Sequence, residues 1–295
     1  MKLLLTGHKG QLGRTLLPML TAGEGHTRYD VLGIDLPEHD ITDRKAFTAL
    51  VDDFRPDLIL HPAAMTDVEG CVRDPTEAYR VNGMGTQNVV LAAAKVDAAM
   101  LYVSTNEVFD GNATEAYHEW AMPNPINAYG RSKLAGEWYT RNLLTRFYIV
   151  RTAWLYAAGG RNFPHRIIEL ADERGTLSVV TDEVGNPTYV KDLAEAIVQL
   201  VDMEAIAAIS KVAVAPYGVY HLVNEGAASR YDFAKEILRL SGRDAVPLTP
   251  ITLAEFQRAS TPPPYAPLAN NAAAALGIRL RPWQEALVDF LEHTR

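Results

Sequence analysis

The amino-terminal end of the chain places a short apolar run, residues 3–6, directly before three glycines spaced three apart, Gly7, Gly10 and Gly13. Glycine permits a tight turn and lets backbone N–H groups approach a pyrophosphate, and the start of a following helix adds partial positive charge. A helical pattern over residues 11–20 follows at once. A strand, a glycine turn and a helix in this order are typical of the first unit of a dinucleotide-binding sheet, and the alternative is a purely structural turn.

The first half of the chain alternates short apolar runs with helical patterns. Strands are predicted at residues 3–6, 30–35, 58–60, 101–104 and 148–151, and helices at 11–20, 42–54, 75–96 and 129–144, the second of them capped by Thr42. Strands that alternate with helices form parallel βαβ units with right-handed crossovers. The predicted fold is therefore α/β, with a Rossmann-type doubly wound parallel sheet.

After Trp154 the pattern loosens, because prolines interrupt it at 187, 216, 247 and 262–264. Helices are still predicted at 190–201, 229–240 and 283–291, and the alanine run 272–275 is predicted to begin another. We predict a dinucleotide-binding domain over residues 1–155 and a smaller C-terminal substrate-binding lobe over 156–295, with segments of the lobe returning to the Rossmann core.

Composition argues against several classes of function. The chain has 295 residues, 48% of them hydrophobic, and a net charge of -8, which disfavours nucleic acid or an anionic membrane as main partner. Cys71 is the only cysteine and the histidines are scattered, so no metal site is predicted. The first apolar run is too short for a signal peptide and no stretch is long enough to span a bilayer, so we expect a cytoplasmic protein.

Asp35 is a candidate cofactor residue because it ends the second predicted strand, about 20 residues beyond the glycines. A carboxylate at that place accepts hydrogen bonds from a ribose and disfavours a 2′-phosphate, which favours NADH over NADPH. Lys9 and Arg14 would weaken that preference. The alternative is that Asp35 only caps a turn.

Two further segments are placed to line a cofactor. Asp40 and Ile41 lie on the next loop, where they would flank an adenine ring or simply lead into a helix. Ala63, Ala64 and Met65 follow the third predicted strand, and small residues at the carboxyl end of a strand let a cofactor lie against the backbone. Close packing of helix on sheet would require the same alanines.

Tyr129 and Lys133 are predicted to share one face at the start of a helix, because they are four residues apart. Ser104 and Thr105 end the fourth predicted strand, at the sheet edge where ligands bind. A phenol with a pKa of about 10 is a poor acid or base at neutral pH, and a nearby ammonium is expected to lower that pKa. With Thr105 donating to a carbonyl oxygen or to the phenol, this set predicts proton transfer to a ketone under reduction.

At this point the chain resembles the extended short-chain dehydrogenase/reductases, and among them the dTDP-4-dehydrorhamnose reductases, over nearly its whole length. The residues that match, in the order and spacing of the family, are Thr6 to Gly13, Val108 to Gly111, Tyr129 to Glu137, Arg151 to Tyr156, Asn162-Phe163, Gly185 to Tyr189 and Asp192 to Ala194.

The resemblance implies reduction of the 4-keto group of a dTDP-4-dehydro-β-L-rhamnose by hydride from NADH or NADPH. It implies that Tyr129 donates the proton, Lys133 is its electrostatic partner and Thr105 tunes it. The residues implied to line the cofactor are Gly10, Gln11, Leu12, Asp35, Asp40, Ile41, Ala63, Ala64, Met65, Tyr129 and Lys133, with Gly7 and Gly13 shaping the turn. Thr105, Asn106 and Trp154 are implied to contact the sugar nucleotide.

Three positions depart from the family pattern. Members usually have Ser-Thr-Asp-Tyr where this chain has Ser-Thr-Asn106-Glu107, which loses one charge and puts a carboxylate in place of an aromatic ring. An arginine common before the Pro-x-Tyr stretch is Pro262 here, so a diphosphate contact is missing or supplied elsewhere, with Arg258 a candidate. A metal-binding glutamate of some members is Thr15 here, so that metal is not predicted.

Other functions stay open on the sequence. Glu107 resembles the base of the sugar-nucleotide 4,6-dehydratases, so a dehydratase or C5-epimerising activity is one alternative. A related 4-keto reductase of different stereochemistry is a second, and a regulatory protein that binds NAD(P) without turnover is a third. The predicted partner is a dTDP-sugar, and the chain is expected to be a monomer or a homodimer.

Overall fold

A six-stranded parallel sheet forms the centre of the molecule in the computed structural model, which describes residues 1–22, 29–160, 162–210 and 216–293. Its strand order is β10-β5-β4-β3-β1-β2, and every neighbouring pair is parallel. The strands are β1 (Lys2–Thr6), β2 (Asp30–Ile34), β3 (Leu58–His61), β4 (Ala99–Thr105), β5 (Phe147–Thr152) and β10 (Gly218–His221). The sheet confirms the predicted α/β class.

Helices cover both faces of this sheet. Those of the first half are α1 (Gln11–Ala22), α2 (Arg44–Phe54), α3 (Val68–Arg73), α4 (Pro75–Ala78), α5 (Thr86–Val96) and α6 (Ala128–Leu143). The central strands β3 and β4 are buried along their whole length, as expected where helices cover both faces of a sheet.

Two details of the predicted helices differ from the structure. Asp43, not Thr42, caps α2, because its carboxylate accepts a hydrogen bond from the Ala46 N–H at 3.0 Å. The helix predicted over 75–96 is continuous but carries a π-helical segment, Tyr79–Gly85, between α4 and α5. The wider π turn brings Asn82 and Gly83 into the buried side of the helix.

The second half of the chain builds a smaller body around its own apolar cluster. Its elements are β6 (Leu155–Tyr156), α7 (Phe163–Arg174), β7 (Leu177–Val180), β8 (Val184–Gly185), β9 (Thr188–Tyr189), α8 (Val190–Ser210), β11 (Ala228–Ser229), α9 (Arg230–Leu240), β12 (Leu248–Ile251), α10 (Asn271–Ala275) and α11 (Trp283–Glu292). Phe233 and Phe290 are fully buried in this cluster, and their rings pack against Tyr156 at centroid distances of 5.7 and 5.0 Å, the first tilted and the second edge-on.

The second half also contributes to the central sheet. Strand β10 pairs in parallel with β5, from Gly218 opposite Tyr148 to His221 opposite Arg151. Helix α8 packs against α1, and its buried residues join the core that lies on that face of the sheet. No helix among the described residues is both long and apolar enough to cross a membrane.

Candidate active site

The glycine turn between β1 and α1 is tight enough that side chains would not fit. Gly7 has φ +65°, and its carbonyl accepts a hydrogen bond from the Gly10 N–H at 3.0 Å. A Cβ on Gly13 would lie 2.2 Å from the Gly7 oxygen, and a Cβ on Gly7 would lie 3.0 Å from the Cα of Ala63. The turn therefore packs closely against the segment that follows β3. It also leaves the amino terminus of α1, where Gln11 and Leu12 begin the helix, free of side chains from the three glycines.

Asp35 directly follows β2 and faces the glycine turn. Its two carboxylate oxygens accept hydrogen bonds from the N–H of Lys9 and of Leu36, both at 2.8 Å. The Lys9 ammonium turns back to the same loop, where it donates to the Leu36 carbonyl at 2.9 Å and pairs with Glu38 at 2.6 Å. Lys9, which was predicted to weaken the cofactor preference set by Asp35, thus lies in direct contact with it on one loop.

The other predicted cofactor residues lie on the same edge of the sheet. Asp40 accepts a hydrogen bond from the Thr42 N–H at 2.8 Å, and Ile41 is buried with its carbonyl bonded by Asn88 at 3.0 Å. A Cβ on Gly85, in the π segment, would lie 3.0 Å from the Ile41 side chain. The loop is thereby fixed against the helix behind it.

Ala63, Ala64 and Met65 continue from the end of β3. The Thr6 hydroxyl bridges this segment to β1, contacting His61 Nδ1 at 2.8 Å and accepting from the Ala63 N–H at 3.4 Å. The Asn82 side chain accepts a hydrogen bond from the Met65 N–H at 2.7 Å and donates one to the Met65 carbonyl at 3.0 Å. Its amide also donates to Ser132 on α6 at 2.9 Å. The π segment therefore ties this segment to α6; the sequence analysis did not single out Asn82.

Thr105, Tyr129 and Lys133 come together where β4 ends and α6 begins. Thr105 is buried, its hydroxyl accepts a hydrogen bond from the Glu107 N–H at 3.2 Å, and it lies close enough to the half-buried Tyr129 to act on the pKa of that phenol. Lys133, only 2% exposed, lies one turn further along α6 with its Nζ 4.2 Å from the centroid of the Tyr102 ring. The structure thus groups the three residues that the sequence analysis predicts for proton transfer.

The protonation of this pair differs from the expectation that the ammonium lowers the phenol pKa. Burial raises the pKa of Tyr129, and the nearby Glu107 carboxylate raises it further, while the Thr105 hydrogen bond acts in the opposite sense. Burial also lowers the pKa of Lys133 to about 7, against a smaller opposing effect of Glu137. A lysine that loses its own charge on burial has little power to stabilise a phenolate. The site therefore holds the phenol in its neutral, proton-donating form.

Asn106 and Glu107 form the 3₁₀ turn Asn106–Val108 after β4. Asn106 is buried and donates to the Ala266 carbonyl at 3.3 Å, so its amide is turned toward the later half of the chain. Glu107 accepts from Asn127 at 2.6 Å, and burial raises the pKa of its carboxyl, with nearby Glu183 adding to the shift. A Cβ on Gly130 would lie 2.0 Å from the Glu107 carbonyl oxygen, so only glycine lets α6 begin this close to the turn.

A buried ion pair behind the site was not predicted from the sequence. Arg151 on β5 and Glu137 on α6 are fully buried and pair through two parallel hydrogen bonds of 2.8 and 2.7 Å. Ser104, next to Thr105, donates to the same carboxylate at 2.7 Å. The pair fixes α6 against β4 and β5 at the level of the proton-transfer residues. The sequence shows one charged residue on the predicted helix and one on the predicted strand. It does not show that Glu137 and Arg151, 14 residues apart, are buried and paired.

Trp154 lies at the boundary between the two halves, with a positive φ of 45°. The Arg230 guanidinium lies over its ring at 3.5 Å from the centroid, and a Cβ on Gly185 would lie 2.7 Å from the indole. Trp154 is thus held by packing on Arg230 and Gly185, and its contact with the sugar nucleotide stays a prediction. Its guanidinium neighbour was not predicted, because Arg230 is distant in sequence.

Comparison with known proteins identifies the family. The family model described as the RmlD substrate binding domain matches residues 1–295. The chain belongs to this family. It is 35% identical over 292 residues to a dTDP-4-dehydrorhamnose reductase of Aggregatibacter actinomycetemcomitans, with 97% of each chain covered.

Two further relatives bear on substrate and cofactor. A dTDP-4-keto-6-deoxy-D-glucose reductase of Streptomyces niveus is 36% identical over 286 residues, covering 96% of this chain and 94% of its own. The crystal structure of dTDP-4-dehydrorhamnose reductase from Bacillus anthracis in complex with NADP has a TM-score of 0.90 and 36% identity, with 99% of each chain covered.

Proposed function

We propose that this chain reduces the 4-keto group of dTDP-4-dehydro-β-L-rhamnose with a hydride from NADH or NADPH, giving dTDP-L-rhamnose. The observation that carries the proposal is the grouping of Thr105, Tyr129 and Lys133 at the carboxyl edge of the sheet that also carries the glycine turn. Membership of the RmlD substrate binding domain family and the activity named for its relatives support the substrate.

The residues of the glycine-lined edge fit a dinucleotide. The turn at Gly7, Gly10 and Gly13 leaves the backbone bare, and α1 begins directly behind it at Gln11 and Leu12, the arrangement that binds a pyrophosphate. Asp35 would hold the adenosine ribose. The remaining contacts would come from Asp40, Ile41, Ala63, Ala64, Met65, Tyr129 and Lys133. When bound, NAD(P)H supplies the hydride.

The proton is supplied by the chain itself. As negative charge develops on the C4 oxygen, the neutral Tyr129 hydroxyl donates its proton to that oxygen. The Thr105 hydroxyl donates a hydrogen bond to the same oxygen or to the phenol. Lys133, whose pKa of about 7 leaves it partly protonated at neutral pH, stabilises the remaining phenolate in the molecules in which the lysine carries its charge. This requires a ketone oxygen within about 3 Å of both the Tyr129 and Thr105 hydroxyls.

The sugar nucleotide is proposed to bind between the sheet edge and the lobe of residues 156–295. Thr105, Asn106 and Trp154 are the proposed contacts, and Asn106 and Trp154 both pack against residues of the later half of the chain. The oligomeric state, monomer or homodimer, stays a prediction.

The decisive experiment is oxidation of NADH and NADPH with dTDP-4-dehydro-L-rhamnose, followed by identification of the product. We expect Tyr129→Phe to cut turnover by about 100-fold or more while NADPH binding is nearly unchanged, because only the proton donor is removed. Tyr139→Phe is the matched control, since it removes from the same helix a hydroxyl that shares a hydrogen bond with the exposed Tyr79 at 2.9 Å. Normal turnover by Tyr129→Phe would exclude this phenol from the chemistry.

A second candidate function is favoured by Glu107. Its carboxyl lies close enough to Tyr129 to raise the pKa of the phenol, and its own pKa is raised by burial, the direction that makes a carboxylate a stronger base. Such a base would exchange the C5 proton of a 4-keto sugar, the first step of epimerisation. Turnover in deuterium oxide separates the two functions: deuterium at C5 of the product supports the base, and its absence supports simple reduction.

A further inference from the structure

The chain segment 253–264 forms a strap whose two ends are fixed at the same place on the lobe. At its start, the Leu253 N–H donates to the Asp182 carboxylate at 2.7 Å. At its end, the Pro264 carbonyl accepts from the Val184 N–H at 2.8 Å. Both ends are therefore held where β8 begins, and the residues between them extend away from that point.

The middle of the strap is bonded to the first half of the chain by Glu69 on α3. One oxygen of the Glu69 carboxylate, Oε2, accepts from the Ala259 N–H at 2.8 Å. The other, Oε1, accepts from the Ser260 N–H at 3.1 Å and also from the Ser260 hydroxyl. Glu69 lies 190 residues before Ala259 in the chain, and it takes three hydrogen bonds from two consecutive residues of the strap. These three bonds are the latch of the strap.

The charge of Glu69 strengthens the latch. The hydrogen bond from the Ser260 hydroxyl lowers the pKa of the Glu69 carboxyl, the two backbone N–H groups and the nearby Arg258 guanidinium lower it further, and burial acts in the opposite sense. Glu69 is therefore ionised at neutral pH. Hydrogen bonds to an ionised acceptor are about twice as strong as those between neutral groups.

The latch lies beside the cofactor segment and the proton donor. Cys71, two residues beyond Glu69 on α3, is fully buried in an apolar cluster against which Met65 and Tyr129 pack. Helix α3 has only six residues, so the residue that holds the strap and the residue that packs on Tyr129 are fixed relative to each other.

The strap also borders the proposed sugar site directly. The Thr261 carbonyl accepts from Asn127 Nδ2 at 3.1 Å, and the same nitrogen donates to Glu107 at 2.6 Å. Two residues beyond the strap, the Ala266 carbonyl accepts from Asn106 at 3.3 Å. A sugar nucleotide that contacts Asn106 therefore has the strap along one side of it.

Polar contacts, not core packing, hold the strap on the first half. Within the part of the chain that the structure describes, no strap residue belongs to a buried apolar cluster, and the Phe256 side chain is exposed. The hydrogen bonds across to the first half are the three of the latch and the one from Asn127 to Thr261. A segment with few buried apolar contacts opens without unfolding the body that carries it.

We propose that Glu69 is a positioning residue for the sugar nucleotide, because it latches the strap along the substrate site and releases it to let the nucleotide enter and leave. The inference rests on the proposed function and adds a gating step to it. Opening breaks the bonds to Glu69, while Asp182 and Val184 keep the two ends of the strap in place. Reclosing after the nucleotide has bound restores the wall of the site beside Asn106.

Stopped-flow binding of a fluorescent 3′-methylanthraniloyl derivative of dTDP tests the latch without any turnover. In Glu69→Gln we expect the dissociation rate constant to rise about tenfold and the association rate constant at least twofold, because passage in both directions needs an open strap. Ser260→Ala should show the same two changes at smaller size. A residue that only shaped the site would speed dissociation without speeding association, so the association rate is the readout that separates the two roles.

Matched substitutions elsewhere provide the controls. Glu77→Gln makes the same change on α4, where the carboxylate pairs with Arg80 inside the first half. Ser241→Ala removes a hydroxyl that donates to the Leu238 carbonyl at 3.2 Å. Both should leave the two rate constants unchanged, and NADPH titration and the thermal midpoint of each variant report whether the fold survives. The double variant Glu69→Gln/Ser260→Ala should change the rates by less than the product of the single effects, since both residues act through one contact.

Hydrogen–deuterium exchange reports on the latch in the protein without nucleotide. The Ala259 and Ser260 amides donate to Glu69, so we expect peptides that cover them to exchange about tenfold faster in Glu69→Gln. Peptides that cover β8, where the ends of the strap are fixed, should exchange as in the wild type.

The outcomes separate this inference from the proposed function. An association rate that is unchanged or slower in folded Glu69→Gln overturns the gating role, whether or not the enzyme reduces the 4-keto sugar, and so does unchanged exchange of the strap amides. Faster association and dissociation support the latch even if the wild-type protein fails to oxidise NADPH with that sugar, in which case only the reaction is wrong. Absence of nucleotide binding by the wild-type protein overturns both.

Discussion

Tyr129 and Lys133 show how burial changes the chemistry of a residue pair. On an exposed helix, an ammonium one turn from a phenol stabilises the phenolate. In this site Lys133 is buried and Tyr129 is half-buried, so each is driven toward its neutral form: the pKa of Tyr129 is raised and that of Lys133 is lowered to about 7. A neutral phenol is the form that donates a proton during ketone reduction, so burial favours the proposed direction of reaction.

The lowered pKa of Lys133 predicts a pH-dependent loss of stability. Below pH 7 the lysine is charged in both folded and unfolded chains, and its burial penalty is present in full. Between about 7 and 10.4 the folded protein has lost this proton while the unfolded chain still binds it, so wild-type stability gains with rising pH. We expect Lys133→Met to be the more stable protein at pH 6.5, with an advantage that shrinks by pH 9.5, while turnover is lost.

Urea unfolding of the two proteins at pH 6.5, 8 and 9.5 measures this difference. Subtracting one from the other removes the titration of groups that both share. An advantage of Lys133→Met that stays constant with pH would show that the lysine is not held with a lowered pKa.

Glu38 is predicted to control the choice between the two cofactors. It pairs with the Lys9 ammonium at 2.6 Å, on the loop where Asp35 would meet the adenosine ribose. Glu38→Gln releases Lys9 toward a 2′-phosphate, so we expect KM for NADPH to fall roughly two- to fivefold with KM for NADH unchanged, the size typical of an exposed ion pair. Steady-state kinetics with both cofactors checks this, with Glu236→Gln as a control, because Glu236 is half-buried and pairs with the exposed Arg239 on α9. An equal change for both cofactors would remove Lys9 from the discrimination.

At the residue scale, the sequence could predict the side chains that local spacing defines. The glycine turn, Thr105 and the Tyr129–Lys133 pair follow from short-range pattern, and the structure brings them to one sheet edge. Arg230 and Glu183 could not be predicted, because their contact spans 47 residues and depends on how the loops of the later half fold back. The predicted direction of the Tyr129 pKa shift was wrong for a related reason, because the spacing of residues along a helix does not show how far burial removes the phenol from water.

Helix α6 is fixed to strands β4 and β5 by the buried pair of Glu137 and Arg151. A buried ion pair is costly to break, since removing one partner leaves an uncompensated charge in the core. We expect Arg151→Met to lower the free energy of unfolding by about 3–5 kcal/mol. The double variant Arg151→Met/Glu137→Gln should be less destabilised than the sum of the two single variants, because it leaves no charge behind.

A surface pair of the same geometry provides the control for this cycle. Arg243 and Asp172 also pair through two parallel hydrogen bonds, both of 2.7 Å, but Asp172 is 58% exposed. Breaking that pair should cost far less than breaking the buried pair, because the carboxylate that it leaves unpaired is already exposed to water. Denaturant titration of both sets of variants gives the comparison, and equal costs at the two sites would contradict a role for burial.

At the element scale, the first half was predictable because its strands and helices are long enough to show a period. The two-residue strands β6, β8, β9 and β11 are too short to show one, and they exist only because tertiary contacts align them. Helix α7 was not predicted because it begins at Phe163-Pro164. A proline usually indicates the end of a helical pattern, although it is well tolerated in the first turn of a helix. The π segment was missed because it keeps the apolar pattern of a helix almost intact.

The whole molecule is organised around one sheet that takes strands from both halves of the chain. The core on one face combines residues of β1, α1 and β4 with Val190, Leu193, Ile197 and Leu200 of α8 and with Leu222 just after β10. The core of the sheet therefore contains residues from both sides of the boundary predicted at residue 155, as expected if segments of the lobe return to the Rossmann core, while the apolar cluster around Phe233 and Phe290 belongs to the later half alone.

We therefore expect residues 1–155 not to fold on their own. Without α8, the fragment exposes the face of α1 that α8 covers in the full chain. Without β10, it leaves the edge of β5 unpaired. The full chain should unfold in a single cooperative transition, while the fragment should show no sigmoidal urea transition and no NADPH binding. Circular dichroism and cofactor titration of both proteins make the comparison. A fragment that unfolds cooperatively in urea and binds NADPH would show that the sheet is stable without β10 and α8.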